Sequence, residues 1–192
     1  MKPIAKILVL LLCLCLLVLP AAAVSGADSV QTTAAVEADG SCYVTMRLQL
    51  HLEQAEKLSL PLPPQAKEVR LGGRLRTPIW QGGQFVLQLP KLDAGIHTVE
   101  ISFRLDGAVT EKSGGLPLLT GFAYPVDDFS CTVTLPAAPM EAPTFVSGYY
   151  GESIADQLQV QLQGNVIHCR SLQTLKDRET LILQCRATSA MV

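Results

Sequence analysis

Polar and apolar positions alternate along most of this chain, with a period of two. From Ser41 to Leu52, Cys42, Val44, Met46, Leu48, Leu50 and Leu52 fall on one side. Tyr43, Thr45, Arg47, Gln49 and His51 fall on the other. Successive side chains of a strand point to opposite faces, so this pattern predicts a half-buried β-strand. Asp39-Gly40 precedes it as a turn signal, and Val30, Thr32, Ala34 and Val36 form a plausible partner strand. The same alternation recurs at Leu58–Leu62, Val69–Leu71, Phe85–Leu89, Ile96–Leu105, Phe129–Leu135, Leu158–Leu162, Ile167–Cys169 and Leu181–Cys185. Gly72-Gly73, Gly82-Gly83 and Gly164-Asn165 supply the positive φ that tight hairpin turns need. Thr110–Gly121 reads as a loop, and Ser153–Gln157 as a single helical turn. About ten short strands predict an all-β fold, an antiparallel immunoglobulin-like β-sandwich. It is one elongated sandwich or two small ones, with a seam near residues 107–125.

The N-terminus breaks the pattern. Lys2 and Lys6 flank a short basic start, thirteen apolar residues run from Ile7 to Leu19, and Pro20-Ala-Ala-Ala-Val-Ser-Gly-Ala27 follows. This is the form of a bacterial-type export signal helix. Small residues permit a cut before Asp28, or before Val24 after Ala21-Ala22-Ala23. An uncleaved anchor is the second reading, since a span needs about 20 apolar residues. Cys13 and Cys15 give a lipoprotein reading, against which stands the leucine before each. All three put the later residues outside the cytoplasm, secreted or held at the cell surface. Residues 1–27 are thus signal or anchor, 28–187 the extracytoplasmic β region and 188–192 a tail.

Charge narrows the partners. The formal net charge is −2, from 15 basic and 17 acidic residues. That gives no footprint for nucleic acid, and no charge block forms a membrane patch. Membrane contact is expected only through residues 1–27, if they are retained.

Four cysteines lie beyond the signal: Cys42, Cys131, Cys169 and Cys185. None is in a Cys-x-x-Cys pair, so neither zinc nor thioredoxin-like chemistry has support in spacing. Each shares the apolar face of its strand. They are inert core thiols, or two disulfides that an oxidising exterior allows. A hairpin turning about Asp177 would set Cys169 opposite Cys185 and leave Cys42 for Cys131.

No catalytic constellation stands out, and no cofactor or metal site is expected. His51, His97 and His168 fall in strands, and Asp127-Asp128 reads as a solvated turn. Trp80 and the Gly148-Tyr149-Tyr150-Gly151 loop are the candidates for ligand contact, with Trp80 also readable as a packing residue.

Two segments carry a family resemblance. Leu92-Asp-Ala-Gly-Ile-His-Thr-Val-Glu-Ile-Ser-Phe-Arg-Leu105 resembles the Gly-x-His-x-Val-x-Ile-x-Tyr strand of bacterial predicted membrane proteins of unknown function. Phe122-Ala-Tyr-Pro-Val-Asp-Asp-Phe-Ser-Cys-Thr-Val-Thr-Leu-Pro136 resembles their Pro-centred turn and following strand. The resemblance implies an extracytoplasmic N-terminal β-sandwich and no catalytic residue. Phe103 stands where the family often has tyrosine. The family's later membrane spans are not found here, which makes a shortened relative one expectation. The function expected is a non-enzymatic exported envelope or surface module that binds an envelope protein or cell-wall component. The alternative is a secreted carbohydrate-binding or hydrolytic accessory protein.

Overall fold

The computed structural model describes residues 25–108, 115–139, 141–148 and 151–185. The export segment up to Val24, Tyr149, Tyr150 and the 188–192 tail lie outside the described residues. No helix among the described residues is long and apolar enough to cross a membrane.

Alternation sets the first strands. β1 (Gly26–Val36) and β2 (Cys42–Leu52) form a long antiparallel hairpin in which Val36 faces Cys42. The turn between them is held by Ser41 N–H donating to Asp39 Oδ1 at 2.9 Å, with Gly40 at φ 77°. All six even-numbered residues of β2 are buried. Burying one large apolar side chain is worth about 1.5–3 kcal/mol. A one-residue slip would turn all six outward, at a cost on the order of 10 kcal/mol, so the register is fixed.

The chain continues through β3 (Ser59–Pro61), β4 (Ala66–Leu71), β5 (Arg74–Leu75), β6 (Ile79–Gln81), β7 (Gln84–Gln88) and β8 (Gly95–Leu105). Then come β9 (Gly115–Thr120), β10 (Val126–Thr134), β11 (Thr144–Ser147), β12 (Leu158–Gln163), β13 (Val166–Ser171) and β14 (Thr180–Gln184). A single 3-10 turn at Ala155–Gln157 precedes β12. Gly72-Gly73 turns β4 into β5 and Gly82-Gly83 turns β6 into β7, all four at positive φ. Gly164, at φ 62°, opens the two-residue turn between β12 and β13.

Eight strands make one sheet, in the order β12-β13-β10-β1-β2-β8-β4-β5. Two three-stranded sheets, β11-β14-β9 and β3-β7-β6, complete the fold. The expectation of purely antiparallel sheets needs one correction: β1 and β10 run parallel, Ala27 level with Val126 and Ala35 with Thr134. After β8 the chain leaves the large sheet, forms β9 in a smaller one, and returns on the far side of β1. A crossover of this kind is what brings strands together in parallel.

Residues of all three sheets join one buried cluster, Val44, Leu60, Ile101, Leu118, Phe129 and Leu183 among them. The stretch expected as a loop at Thr110–Gly121 holds β9, whose Leu116, Leu118 and Leu119 are buried in that cluster. β9 is an edge strand, a position that tolerates Pro117, which has no N–H to give. Its ladder to β14 shifts there: Leu181 faces Leu119 but Ile182 faces Pro117, which makes Leu118 the extra residue of a bulge. The Leu118 carbonyl accepts a hydrogen bond at 2.8 Å from Oγ1 of Thr32, a buried residue of β1. This bond crosses from the small sheet to the large one.

Candidate functional site

Among the described residues, the hairpin of β6 and β7 carries the most exposed aromatic ring, Trp80. Trp80 faces Phe85 across the pair, and their rings tilt against each other with centroids 5.6 Å apart. Cross-strand aromatic pairs of this kind add about 0.5–1.5 kcal/mol beyond area burial. Phe85 is half-buried and packs on the core, whereas Trp80 is 64% exposed. Phe85 therefore acts as the support and Trp80 as the presented ring. Trp80 thus packs on Phe85 at the rim while most of its ring stays open to solvent on β6, the outer strand of β3-β7-β6.

Trp80 and Phe85 line a hollow of about 470 Å3. One side is lined by Pro61, the last residue of β3, and by Leu62, Pro63 and Pro64 just after it. The opposite wall is Pro117 and Thr120 of β9 with Thr180 and Ile182 of β14. The hollow is thus a cleft between the two three-stranded sheets. A second hollow of about 420 Å3 shares Pro61, Gln84, Thr120 and Thr180 with it and adds Ser59 and Arg178. Arg178 stands at φ 59°, a left-handed conformation that costs roughly 1–2 kcal/mol for a residue with a Cβ. Its N–H donates to the Phe122 carbonyl at 2.7 Å, which holds it there. The two adjoining hollows together present an aromatic face, rigid prolines, threonine hydroxyls, glutamine amides and, in the second, the Arg178 side chain. That is the chemistry of a binding surface: apolar contact with a few groups that orient a ligand.

The other residues singled out in the sequence lie elsewhere. His51 and His97 sit on adjacent strands but on opposite faces, because Leu50 is the residue facing His97. His97 Nε2 is 2.7 Å from the Asp93 carbonyl, and His168 Nδ1 is 3.2 Å from Thr132 Oγ1. Asp127 and Asp128 are inside β10 rather than in a turn, so they point to opposite faces. Asp128 accepts from Arg170 at 3.1 and 3.3 Å, and Asp127 accepts from Thr174 Oγ1 at 3.2 Å. No group of three His, Cys, Asp or Glu residues suited to a metal occurs among the described residues.

The cysteines are arranged differently from the expected hairpin. Cys169 of β13 stands opposite Cys131 of β10. Cys185 follows β14, which pairs with β9 and β11 in another sheet. The segment between β13 and β14 is not a hairpin: Leu175 bridges back to Val126, and the chain then changes layer. All four cysteines are buried. Burial pushes the Cys42 thiol up to about 12, and nearby Cys185 adds to the rise. The Cys185 thiol is likewise raised by burial.

The cleft was not legible as a site. Pro63-Pro64 reads as the end of a strand and Pro117 as part of a loop. Only the packing of two sheets brings them to Trp80.

No family model and no curated protein matches the chain. Among solved structures, it is similar to an M1 zinc metallopeptidase from Deinococcus radiodurans, at 13% identity and a TM-score of 0.42. That match covers 83% of this chain and 42% of the other. It is also similar to native leukotriene A4 hydrolase from Saccharomyces cerevisiae, at 11% identity and a TM-score of 0.47, over 83% of this chain and 29% of that one. The chain spans less than half the length of either.

Proposed function

We propose that this is a non-enzymatic, exported binding module of the bacterial envelope or surface. Its recognition surface is the cleft between the two small sheets. The observation that carries this reading is Trp80, an exposed ring braced by Phe85 at the mouth of a proline-walled hollow. What supports the reading is contiguity: Trp80, Phe85 and the prolines line one hollow, and a contiguous apolar patch of this kind is characteristic of ligand-binding grooves. The immunoglobulin-like pattern fits as a manner of use, a rigid β scaffold displaying a recognition surface. The export segment and the resemblance to extracytoplasmic regions of bacterial membrane proteins support the location. The partner is an envelope protein or cell-wall component.

The carbohydrate-binding alternative has an observation of its own. Gln65, Gln84, Thr120 and Thr180 line the cleft beside Trp80, offering amides and hydroxyls next to an aromatic face. Sugars present the complementary surface: C–H groups for the ring and hydroxyls for the rim.

Trp80 is the chain's one tryptophan, so intrinsic fluorescence reports directly on the cleft. Soluble cell-wall fragments and an oligosaccharide panel are titrated into the protein, and retention on isolated cell walls is measured for wild type and Trp80→Ala. Binding should change the emission and fall at least tenfold in Trp80→Ala. Wild-type retention that Trp80→Ala leaves unaltered would remove the cleft from the reading. A response to oligosaccharides alone would favour the sugar alternative.

A further inference from the structure

We propose that Cys131 and Cys169 are joined as a cross-strand disulfide that fastens β13, and through it the edge strand β12, to the centre of the large sheet. The two residues are direct partners in the antiparallel ladder of β10 and β13. Partners in such a ladder have Cα atoms about 4.5–5.5 Å apart. That separation lies inside the range a disulfide spans, about 4.4–6.8 Å. Facing residues also point to the same side, and both cysteines are 3% exposed on the inward face. In keeping with that pairing, contact with the Cys169 side chain and then burial raise the Cys131 thiol above its ordinary value.

Thr32 flanks Cys131 in the same inward row, and Val160 of β12 flanks Cys169. β12 pairs with β13 alone, and its five residues after Leu158 are exposed. The end of the sheet is therefore held by one ladder, and a covalent tie one strand further in would secure it.

The chemistry requires a disulfide donor, a small-molecule or protein disulfide of the oxidising exterior. One thiolate attacks a donor sulfur, forms a mixed disulfide and releases one donor thiol. The second cysteine thiolate then attacks the cysteine sulfur of the mixed disulfide. The Cys131–Cys169 bond forms and the second donor thiol leaves. Two electrons pass from the cysteines to the donor, and the two protons end on the donor thiols. Thiolate attack needs access, which the folded sheet denies. Oxidation thus belongs to the folding stage, before β13 closes on β10.

The test uses the full chain, exported from cells and purified without reductant. It is denatured in the presence of an alkylating reagent, digested, and mapped by mass spectrometry. The expected result is a peptide pair linked through Cys131 and Cys169, lighter by two hydrogens than the separate peptides and split by reductant. In Cys169→Ala, Cys131 should become alkylatable. Two alkylated thiols at positions 131 and 169 in the wild type would overturn the proposal, as would either cysteine linked to a different partner. As a second measurement, reductant should lower the denaturation midpoint of the wild type by more than that of Cys131→Ala/Cys169→Ala. An equal shift in both would count against the bond. The mapping reads the cysteines alone, so its outcome is independent of whether the Trp80 cleft binds a ligand.

Discussion

Replacing Thr32 by valine tests how the large sheet is joined to the β11-β14-β9 sheet. Valine has nearly the shape of threonine and keeps the β-branch that suits a strand. What it loses is the hydroxyl that donates to the Leu118 carbonyl at 2.8 Å. That carbonyl belongs to the bulge residue of β9, where the ladder to β14 is interrupted. Leaving a buried acceptor unsatisfied costs about 1–3 kcal/mol. The extra methyl group returns less than about 1 kcal/mol of apolar burial. The net loss should be about 1–2 kcal/mol. A domain of this size loses about 2–4 °C of Tm per kcal/mol, so the melting point should fall by about 2–8 °C. Urea denaturation measures the same quantity, with the midpoint moving and the slope unchanged if only stability is altered. Thr33→Val is the control, since Thr33 is the next residue of β1 and faces solvent. It should stay within about 0.5 kcal/mol of wild type. If Thr32→Val were as stable as Thr33→Val, the bond between the two sheets would contribute nothing and the reasoning would fail.

Two further outcomes can be checked on the same protein. Tyr124 donates to the Glu56 carboxylate, and its phenol is pushed up to about 12, first by burial and then by that bond. A phenol raised in the folded state favours its neutral form, so its contribution is complete below the ordinary value near 10 and is lost as pH rises from 10 towards 12. Thermal melts across that interval should show a steeper fall for wild type than for Tyr124→Phe; parallel curves would discount the Tyr124–Glu56 contact. The second outcome concerns the N-terminus. Ala27 is buried in β1 and donates to the Pro125 carbonyl at 3.1 Å, while Ser25 Oγ accepts from Glu53 N–H at 3.1 Å. A chain starting at Asp28 should therefore be less stable than one starting at Val24, by about 1–3 kcal/mol. Under the proposed export, N-terminal sequencing of protein recovered outside the cytoplasm should read Val24 first, and a start at Asp28 with unchanged stability would contradict this.

Much of the fold could be read before any coordinates. The run at Ser41–Leu52 became β2 with every expected residue inward, and Ile96–Leu105 became β8 with Val99, Ile101, Phe103 and Leu105 buried. The paired glycines turned hairpins as their positive φ requires. Trp80 could be named as a ligand candidate, but its neighbours could not. β9 escaped notice because the bulge at Leu118 breaks the alternation, placing Leu118 and Leu119 both in the core.

Alternation is a local property, produced by one face of a strand being buried, so the sequence by itself determined where strands run and which side chains turn inward. It carries no record of the partner strand. Three features depended on where the chain changes layers: the parallel pairing of β1 with β10, the meeting of Cys131 with Cys169, and the cleft between Pro63 and Pro117. Those crossings are fixed by the packing of whole sheets. Only the tertiary structure could decide them, because the inward face of a strand is equally apolar whichever neighbour it meets.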